Sequence, residues 1–222
     1  SYSYVANQTA ADALDAGDIV TDSFNYTVSD GTATDTAVIT ITVIGINDTP
    51  TAQNDVGVIV EDGTLTVANS ANATLTGTYD ATGENSGDLI DTSSSSHTDS
   101  DPDASASLSI TQIKKSGGSN SAVGIGSSYN SNGTQVTGTY GTLTIGADGS
   151  YTYAATQDAA DVLDVGESAT DVFTYTLSDG TATTTANLTI TILGANDAPV
   201  ANNDAGVIVE DGTLTVSNGS NA

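Results

Sequence analysis

The sequence lacks cysteine, methionine and tryptophan, and its only basic residues are Lys114 and Lys115. Without cysteine no disulfide can form, so packing or bound ions must stabilise the folded state. The 28 acidic residues give a formal net charge of −26. So negative a chain has no means of neutralising nucleic-acid phosphates, and an anionic membrane surface repels it. The composition therefore excludes nucleic-acid binding and favours cations as ligands.

Signals for export and for membrane insertion are also missing. The sequence contains no apolar run of membrane-spanning length, so membrane insertion is not predicted. It has neither an initiator methionine nor the pattern of a signal peptide. This predicts that the residues belong to a longer polypeptide whose secretion signal lies elsewhere.

The sequence repeats itself after 149 residues. Residues 1–73 align without a gap with residues 150–222, and 48 of the 73 positions are identical. A tandem array is the simplest explanation of such a repeat. It predicts the C-terminal half of one unit in residues 1–48, a complete unit in 51–196, and the opening strand of a third unit in 198–222.

Alternating apolar and polar residues predict β-strands through most of the chain. The runs "VFTYTLSDG" and "ANLTITILG" alternate with period two, as half-buried strands do. Phe24, Tyr26, Phe173 and Tyr175 fall on the apolar side of such runs and are expected in the core. Frequent turn sequences between short strands favour an all-β antiparallel sandwich.

Two stretches resemble a known family. The run "YTLSDGTATTTANLTITILGANDAP" resembles the end of a cadherin-like domain, with an Asp-Gly turn before the last hairpin and an Asn-Asp-x-Pro linker after the final strand. The run "TYGTLTIGADGSYTYAATQDAADVLDVGESATDVFTYTLSDG" is similar to the VCBS and related cadherin-like repeats of large bacterial RTX-type surface adhesins. The resemblance implies an Ig/cadherin-like Greek-key β-sandwich in tandem array. It also implies calcium between successive domains and a secreted protein at the cell surface.

Calcium suits the residues independently of this resemblance. Ca²⁺ takes about six to eight oxygen ligands from carboxylates, Asn side chains and backbone carbonyls. Such ligands are abundant, whereas cysteine is absent and His97 is the single histidine, which disfavours structural zinc or copper. The Asn-Asp segments are therefore predicted to be joints that bound cations make rigid.

Carried onto this sequence, the ligand pattern of the resembling family gives two groups of metal ligands. The first junction, near residue 48, is expected to gather Asp15, Asp18, Asn47 and Asp48 from above and Asp99, Asp101 and Asp179 from below. The second junction, near residue 197, is expected to gather Glu61, Asp164, Glu167, Asn196 and Asp197. Ligation and simple turn formation are left open for Asp12, Asp22, Asp55, Asp62 and Asp103.

Other functions fit the sequence less well. A Ser-His-Asp trio can be drawn around His97, but neighbours on one loop do not form a positioned triad, so no enzyme is predicted. Residues 80–98 and 116–134, rich in Gly, Ser and Asn, are predicted to be long surface loops, and a carbohydrate-binding module would use them as its ligand surface. A self-assembling fibre or surface-layer subunit, with lateral contacts between units, is the other alternative.

The sequence therefore predicts non-catalytic, calcium-rigidified extender repeats of a secreted bacterial adhesin that acts in cell adhesion or biofilm formation. The expected partners are the neighbouring repeats of the same chain, with lateral self-association as a further expectation. The expected location is extracellular, at the cell surface, where the repeats extend a distant binding module away from the cell.

Overall fold

The computed structural model describes residues 1–69, 74–76, 86–90 and 97–216. In chain order its elements are α1 (Thr9–Asp12), β1 (Ile19–Ser29), β2 (Thr34–Ile44), β3 (Asp55–Val60), β4 (Thr64–Val67), β5 (Thr74–Thr76), β6 (Ser109–Lys115), β7 (Ser121–Ala122), β8 (Thr134–Thr137), β9 (Thr142–Ile145), β10 (Tyr151–Ala154), β11 (Ser168–Ser178) and β12 (Thr183–Leu193). Across the described ranges, no helix has the length and apolar character needed to cross a membrane.

Strands β3 to β12 form a sandwich of two five-stranded sheets, called the sandwich below. One sheet has the order β5-β4-β10-β9-β8 and the other β3-β12-β11-β6-β7. The longest hairpin joins β11 to β12 and pairs Ser168 with Leu193 at one end and Ser178 with Thr183 at the other. The all-β sandwich predicted from the sequence is confirmed.

The first strand of the sandwich departs from the antiparallel pattern. β3 lies parallel to β12, with Asp55 opposite Leu188 and Val60 opposite Leu193. The chain thus enters the sheet beside its own last strand, and both strands run in the same direction. β3 and β12 therefore begin at the same end of the sandwich, near the first junction, and end together near the second.

Period-two alternation places one side of each strand in a shared core. Phe173 and Tyr175 of β11 are completely buried, as are Ile190 and Ile192 of β12. The rings of Tyr153, from the facing sheet, and Phe173 meet edge to face with centroids 6.2 Å apart. Burying a side chain of this kind contributes roughly 1.5–3 kcal/mol, so these residues stabilise the sandwich substantially.

The strands β1 and β2 form a separate two-stranded sheet, called the hairpin below. They pair over their whole length in the same register as β11 and β12. Phe24 and Tyr26 are nevertheless 48% and 42% exposed, whereas their repeat equivalents Phe173 and Tyr175 are buried. The prediction that all four lie in the core is wrong for Phe24 and Tyr26, because no second sheet covers this hairpin within the described residues.

Part of the predicted surface loop at 80–98 belongs to the core instead. Residues 80–85 and 91–96 of that range lie outside the described residues. Leu89 is completely buried, and its N–H donates to a carbonyl of the turn between β9 and β10 at 3.0 Å. The surface-loop prediction is therefore wrong for residues 86–89, because Leu89 fills the core between the sheets.

Candidate metal centre

The linker after β2 contacts the sandwich at the first junction. Asn47 Nδ2 donates to Asp179 Oδ2 at 3.0 Å, and the Asp48 N–H donates to Asp103 Oδ2 at 2.9 Å. Asp179 lies in the turn between β11 and β12, and Asp103 lies in the segment before β6. The linker is therefore held against an acidic end of the sandwich.

The Asp179 carboxylate is oriented by its tight turn. Its Oδ1 accepts the N–H groups of Thr181 and Ala182 at 2.6 and 2.7 Å. Gly180 has a φ of 97°, a left-handed conformation that glycine adopts without steric cost. Burial opposes the ionisation of Asp179, but these backbone donors and the Asn47 amide outweigh it and hold the pKa of Asp179 below its usual value. The turn thus keeps a charged carboxylate directed at the linker.

Asp101 and Asp103 leave two buried carboxylate oxygens without a donor. The Asp103 N–H donates to Asp101 Oδ1 at 2.9 Å. Asp101 Oδ2 and Asp103 Oδ1 are buried and accept no hydrogen bond from the described residues. Burial raises the pKa of Asp101, and the carboxylates of Asp103, Asp179 and Asp48 add to this rise. Negative charge therefore accumulates here without a matching positive group in the part of the chain that the structure describes.

Asp15 brings a further carboxylate to the junction. Its Oδ1 accepts the Ser105 N–H at 3.1 Å, and its Oδ2 accepts the Ser105 hydroxyl. The Ser105 hydroxyl and N–H lower the pKa of Asp15. A cleft of about 300 Å³ opens beside this contact, and its walls include Asp15, Asn47, Asp103 and Asp179. Oxygen atoms from both sides of the junction therefore line one space.

The structure brings together most of the ligands predicted for the first junction, namely Asp15, Asn47, Asp48, Asp101 and Asp179, and it adds Asp103. Asp18 supports the linker through its backbone, because its carbonyl accepts the Gly45 N–H at 2.9 Å. Asp99 is buried, and its Oδ1 accepts the Gln53 N–H at 2.8 Å. Among the described residues, no three carboxylate or imidazole groups already form a metal-ligand set. Metal ligation by these residues stays a prediction.

Glu61 and Glu167 adjoin the end of β12 at the second junction. Glu61 is buried, and its Oε1 accepts the Ala195 N–H, while its Oε2 has no donor within the described part of the chain. The Glu61 N–H donates to the Leu193 carbonyl at 2.9 Å, and the Gly194 N–H donates to the Glu167 carbonyl at 3.0 Å. Two acidic residues thus flank the point at which the second linker begins.

The other ligands predicted for the second junction make local contacts. The Asp164 N–H donates to Glu167 Oε2 at 3.1 Å, and Asn196 Nδ2 donates to the Asp197 carbonyl at 2.9 Å. Asp164, Glu167, Asn196 and Asp197 are all exposed. The structure therefore assembles this junction less completely than the first.

Asp103 lies at the centre of the first junction, although the sequence left its role open. The run "DSDPDA" places Asp99, Asp101 and Asp103 two residues apart. In an extended chain this spacing puts side chains on one side, so the alternation was the available signal. This expectation of a shared side is met by Asp101 and Asp103, which are in contact, whereas Asp99 turns towards the Gln53 N–H.

Comparison with solved structures adds little to this geometry. The chain is similar to the endo-fucoidan hydrolase MfFcnA4 from glycoside hydrolase family 107, at 17% sequence identity and a TM-score of 0.32. The similarity covers 83% of this chain and 20% of the hydrolase chain, so this chain spans about a fifth of that protein. So weak a similarity carries no argument about fold or activity. A comparison with curated proteins finds no match.

Most of the chain matches the sequence model of one protein family. The sequence model of the bacterial cadherin-like domain matches residues 47–194, which is more than half of the chain. The match runs from the first linker, through both sheets of the sandwich, to the residue after β12. This chain belongs to the bacterial cadherin-like domain family.

Proposed function

We propose that this chain forms calcium-rigidified extender repeats of a secreted bacterial surface adhesin of the VCBS type. The observation that carries the proposal is the pair of buried oxygens at the first junction, Asp101 Oδ2 and Asp103 Oδ1, which lack a donor among the described residues. A buried polar atom without a partner costs about 1–3 kcal/mol, and more when it is charged. A divalent cation between linker and sandwich would remove this cost.

The donors at this junction suit a hard cation. Asp101 and Asp103 each offer a carboxylate oxygen that accepts no hydrogen bond from the described residues, and Asp15, Asn47 and Asp179 border the adjoining cleft. All of these side chains can present oxygen, which Ca²⁺ binds in flexible sets of about six to eight, whereas Mg²⁺ demands a stricter octahedron. When bound, the ion supplies positive charge that offsets the repulsion between these carboxylates.

The carboxylates of the linker and of the sandwich repel each other, and this repulsion is the reason why a bound ion would stiffen the joint between them. Two unit charges about 4 Å apart repel by roughly 1 kcal/mol in water and about 4 kcal/mol at an effective dielectric of 20. Burial is the largest cause of the raised pKa of Asp101, and the neighbouring carboxylates raise it further. Without the ion, the hydrogen bonds of Asn47 and Asp48 must hold the joint against this repulsion. When the ion is bound, the same carboxylates are all attracted to it, and the joint is held together.

The recurrence of the linker supports a role as a spacer. The Asn-Asp-x-Pro sequence occurs at residues 47–50 and again at 196–199. Sandwiches joined by stiff linkers would carry a distant binding module away from the cell. Membership of the bacterial cadherin-like family supports an extracellular adhesion role. Cell-surface attachment and biofilm formation are parts of the same proposal.

Thermal unfolding and small-angle scattering of the chain in calcium, magnesium and chelator test this proposal. At a free calcium concentration about a hundredfold above Kd, each independent site adds roughly 2.7 kcal/mol to stability. We therefore expect a higher melting midpoint and a longer, narrower scattering profile in calcium. Sodium chloride at matched ionic strength is the control, because general screening would weaken the same repulsion. Unchanged midpoints and profiles in calcium and chelator would contradict the proposal.

A double variant with two fewer carboxylates at the junction provides the second arm of the test. The double variant Asp101→Asn with Asp103→Asn removes the proposed ligands together with their mutual repulsion. We expect its melting midpoint to lose its calcium response. The matched control, Asp158→Asn with Asp161→Asn, removes two exposed acids of the sandwich and is expected to keep the response. Equal responses of the two double variants would rule out this junction as the calcium site.

A further inference from the structure

The acidic residues are spread unevenly along the chain. Residues 104–147 contain no aspartate or glutamate, although an even spread of 28 acids over 222 residues would place about five in a stretch of this length. Lys114 and Lys115, the only basic residues, both lie in this stretch. It therefore carries a small positive charge within a chain whose formal net charge is −26.

The acid-free stretch forms one side of the sandwich. It contains β6 and β7, which lie at the end of one sheet, and β8 and β9, which lie at the end of the other. The Thr134 hydroxyl of β8 donates to the Ala122 carbonyl of β7 at 3.1 Å, so the two sheet edges meet. Both lysines thus belong to a continuous surface to which this stretch contributes no negative charge.

The outer sides of β6, β11 and β12, called the polar face below, extend this surface across one sheet. Asp171 is the one acidic residue in these three strands, and it is buried beneath the face, where it accepts the Tyr153 hydroxyl of the other sheet. Six outward side chains form two cross-strand rows, namely Asn187, Thr174 and Lys114, and Thr185, Thr176 and Gln112. None of the six is buried, and Lys114 alone is charged. The charge that these two rows present is therefore positive.

Hydrogen bonds at the polar face direct its amide groups. The Thr174 hydroxyl donates to Asn187 Oδ1 at 2.9 Å, and Asn120 Nδ2 donates to Gln112 Oε1 at 2.8 Å. Because the oxygen atoms of these two amides accept bonds from the protein, their NH2 groups are directed elsewhere and can donate to a ligand. The face thus offers the amide donors of Asn187 and Gln112 together with the Lys114 ammonium.

Lys115 adds positive charge at the edge of the polar face. Successive residues of a strand point to opposite sides, so Lys115 points away from Lys114. Its Nζ reaches the turn between β8 and β9 and donates to the Thr139 hydroxyl at 2.7 Å, a neutral partner that does not compensate its charge. Charges more than about 8 Å apart are largely screened at physiological ionic strength, so for a ligand at the face these lysines outweigh more distant acids.

The composition of the polar face favours a sugar chain over a folded protein. Stable protein interfaces bury about 800 Å² on each partner around an apolar core. The two rows contain no apolar residue, and a second copy of this chain would bring a like net charge of −26. A polysaccharide exchanges hydrogen bonds with hydroxyl and amide groups instead, and its carboxylate or sulfate groups pair with ammonium groups.

We propose that the polar face binds an acidic polysaccharide. Lys114 pairs with a carboxylate or sulfate group of the sugar chain, and the amides of Gln112 and Asn187 donate to neighbouring oxygen atoms. Lys115 strengthens the attraction from the edge of the face. This activity goes beyond the role of a spacer, because it lets the sandwich hold an anionic polymer along its side.

Binding of the whole chain to immobilised dextran sulfate, hyaluronate and unmodified dextran tests this proposal. Chelator is present throughout, because calcium would otherwise bridge the acidic junctions to an anionic polymer. The result then stands apart from the calcium response of the junction. We expect binding to dextran sulfate, to hyaluronate or to both, which distinguishes sulfate from carboxylate recognition, and no binding to dextran. Added sodium chloride should weaken the binding, because it screens the lysines.

Variants that lose charge locate the binding surface. Lys114→Gln with Lys115→Gln should weaken binding at least about tenfold, because charge-assisted contacts are lost. Asp12→Asn with Asp35→Asn shifts the net charge by the same amount in the opposite direction, at two exposed positions outside the sandwich. This control should leave the affinity unchanged, whereas it would strengthen binding if total charge alone decided the affinity.

A matched pair of added lysines guards against loss of binding through misfolding. Gln112→Lys adds a positive charge to the polar face and should strengthen binding at least about threefold. Gln135→Lys makes the same change at an exposed position of β8, on the outer side of the other sheet, and should not. Four results would overturn the proposal: no preference for the anionic polymers over dextran, an unchanged lysine double variant, equal affinities of the two lysine additions, or association between copies in place of sugar binding.

Discussion

The side-chain amide of Asn47 lies 3.0 Å from Asp179 Oδ2 and joins the first linker to a turn 132 residues further along the chain. The turn itself does not depend on this contact. Asp30 occupies the equivalent turn of the hairpin, and its Oδ1 accepts the N–H groups of Thr32 and Ala33 at 2.8 Å. The bond from Asn47 is therefore an addition that couples linker to sandwich.

Removing this amide should loosen the joint without unfolding the sandwich. A hydrogen bond to a charged group contributes about 1.5–3 kcal/mol, so Asn47→Ala should broaden the distribution of linker angles in calcium-free scattering. Asn196→Ala is the control, because the Asn196 amide donates to the carbonyl of its own neighbour. Its profile should match the parent profile. Identical broadening in both variants would show that the coupling does not run through Asp179.

Loss of a single carboxylate should measure the contribution of Asp103 to calcium binding. Asp103 is 8% exposed, and its Oδ1 has no donor in the described chain. Asp103→Asn is expected to weaken calcium binding at least about tenfold, which corresponds to about 1.4 kcal/mol. Titration calorimetry measures this directly. Asp161→Asn removes the same charge from an exposed position and should leave the affinity unchanged. Similar affinities for both variants would contradict the assignment.

Stability should depend on pH through Asp55. Burial raises the pKa of Asp55 from 3.8 to about 6, although hydrogen bonds from the hydroxyls of Tyr175 and Ser86 oppose this rise. Because the folded pKa is the higher one, the contribution of Asp55 to stability is fully present below about pH 4 and is lost as the pH rises through about 6.

The variant Asp55→Asn carries no titrating group at this position. Relative to the parent chain, it should therefore gain stability between pH 4 and 7, by up to about 3 kcal/mol. Urea unfolding at pH 4 and at pH 7.5 measures the difference. The exposed variant Asp158→Asn should show no comparable change between the two pH values. A constant difference between Asp55→Asn and the parent would exclude this titration.

Asp171 should contribute much more to the stability of the fold than its repeat equivalent, Asp22, does. Asp171 is 2% exposed and accepts the N–H groups of Thr139 and Tyr140 at 2.7 and 3.0 Å and the Tyr153 hydroxyl at 2.7 Å. Asp171→Ala leaves these donors unsatisfied and should destabilise the sandwich by at least about 3 kcal/mol. Asp22→Ala, at an exposed position, should cost less than about 1 kcal/mol. Urea unfolding compares the two, and equal losses would contradict this account.

Strand positions could be predicted because period-two alternation reports which side of a strand is apolar. It predicted the burial of Phe173 and Tyr175 and the all-β sandwich. The same pattern failed for Phe24 and Tyr26, since alternation cannot say whether a second sheet covers the apolar side. The burial of Leu89 was not predicted, for a different reason. A single apolar residue in a Gly- and Ser-rich stretch gives no periodic signal.

The candidate site was predictable in its residue types and only partly in its geometry. The repeated Asn-Asp linker marks the joint, and carboxylates of the next unit do gather there. The direction of each carboxylate depends on which N–H groups lie near it. Asp99 turns to the Gln53 N–H, whereas Asp103 turns to the Asp48 N–H. These donors come from distant parts of the chain, so sequence spacing alone could not distinguish them.

The parallel pairing of β3 with β12 has a mechanical consequence. Tension applied to the two ends of the sandwich reaches its first and last strands, which lie side by side over six residue pairs. Because they run in the same direction, a pull drags one strand along the other and loads all of these hydrogen bonds at once. An antiparallel terminal pair would instead open like a zipper, one bond after another. Each sandwich should therefore resist stretching well, which the proposed spacer role would require.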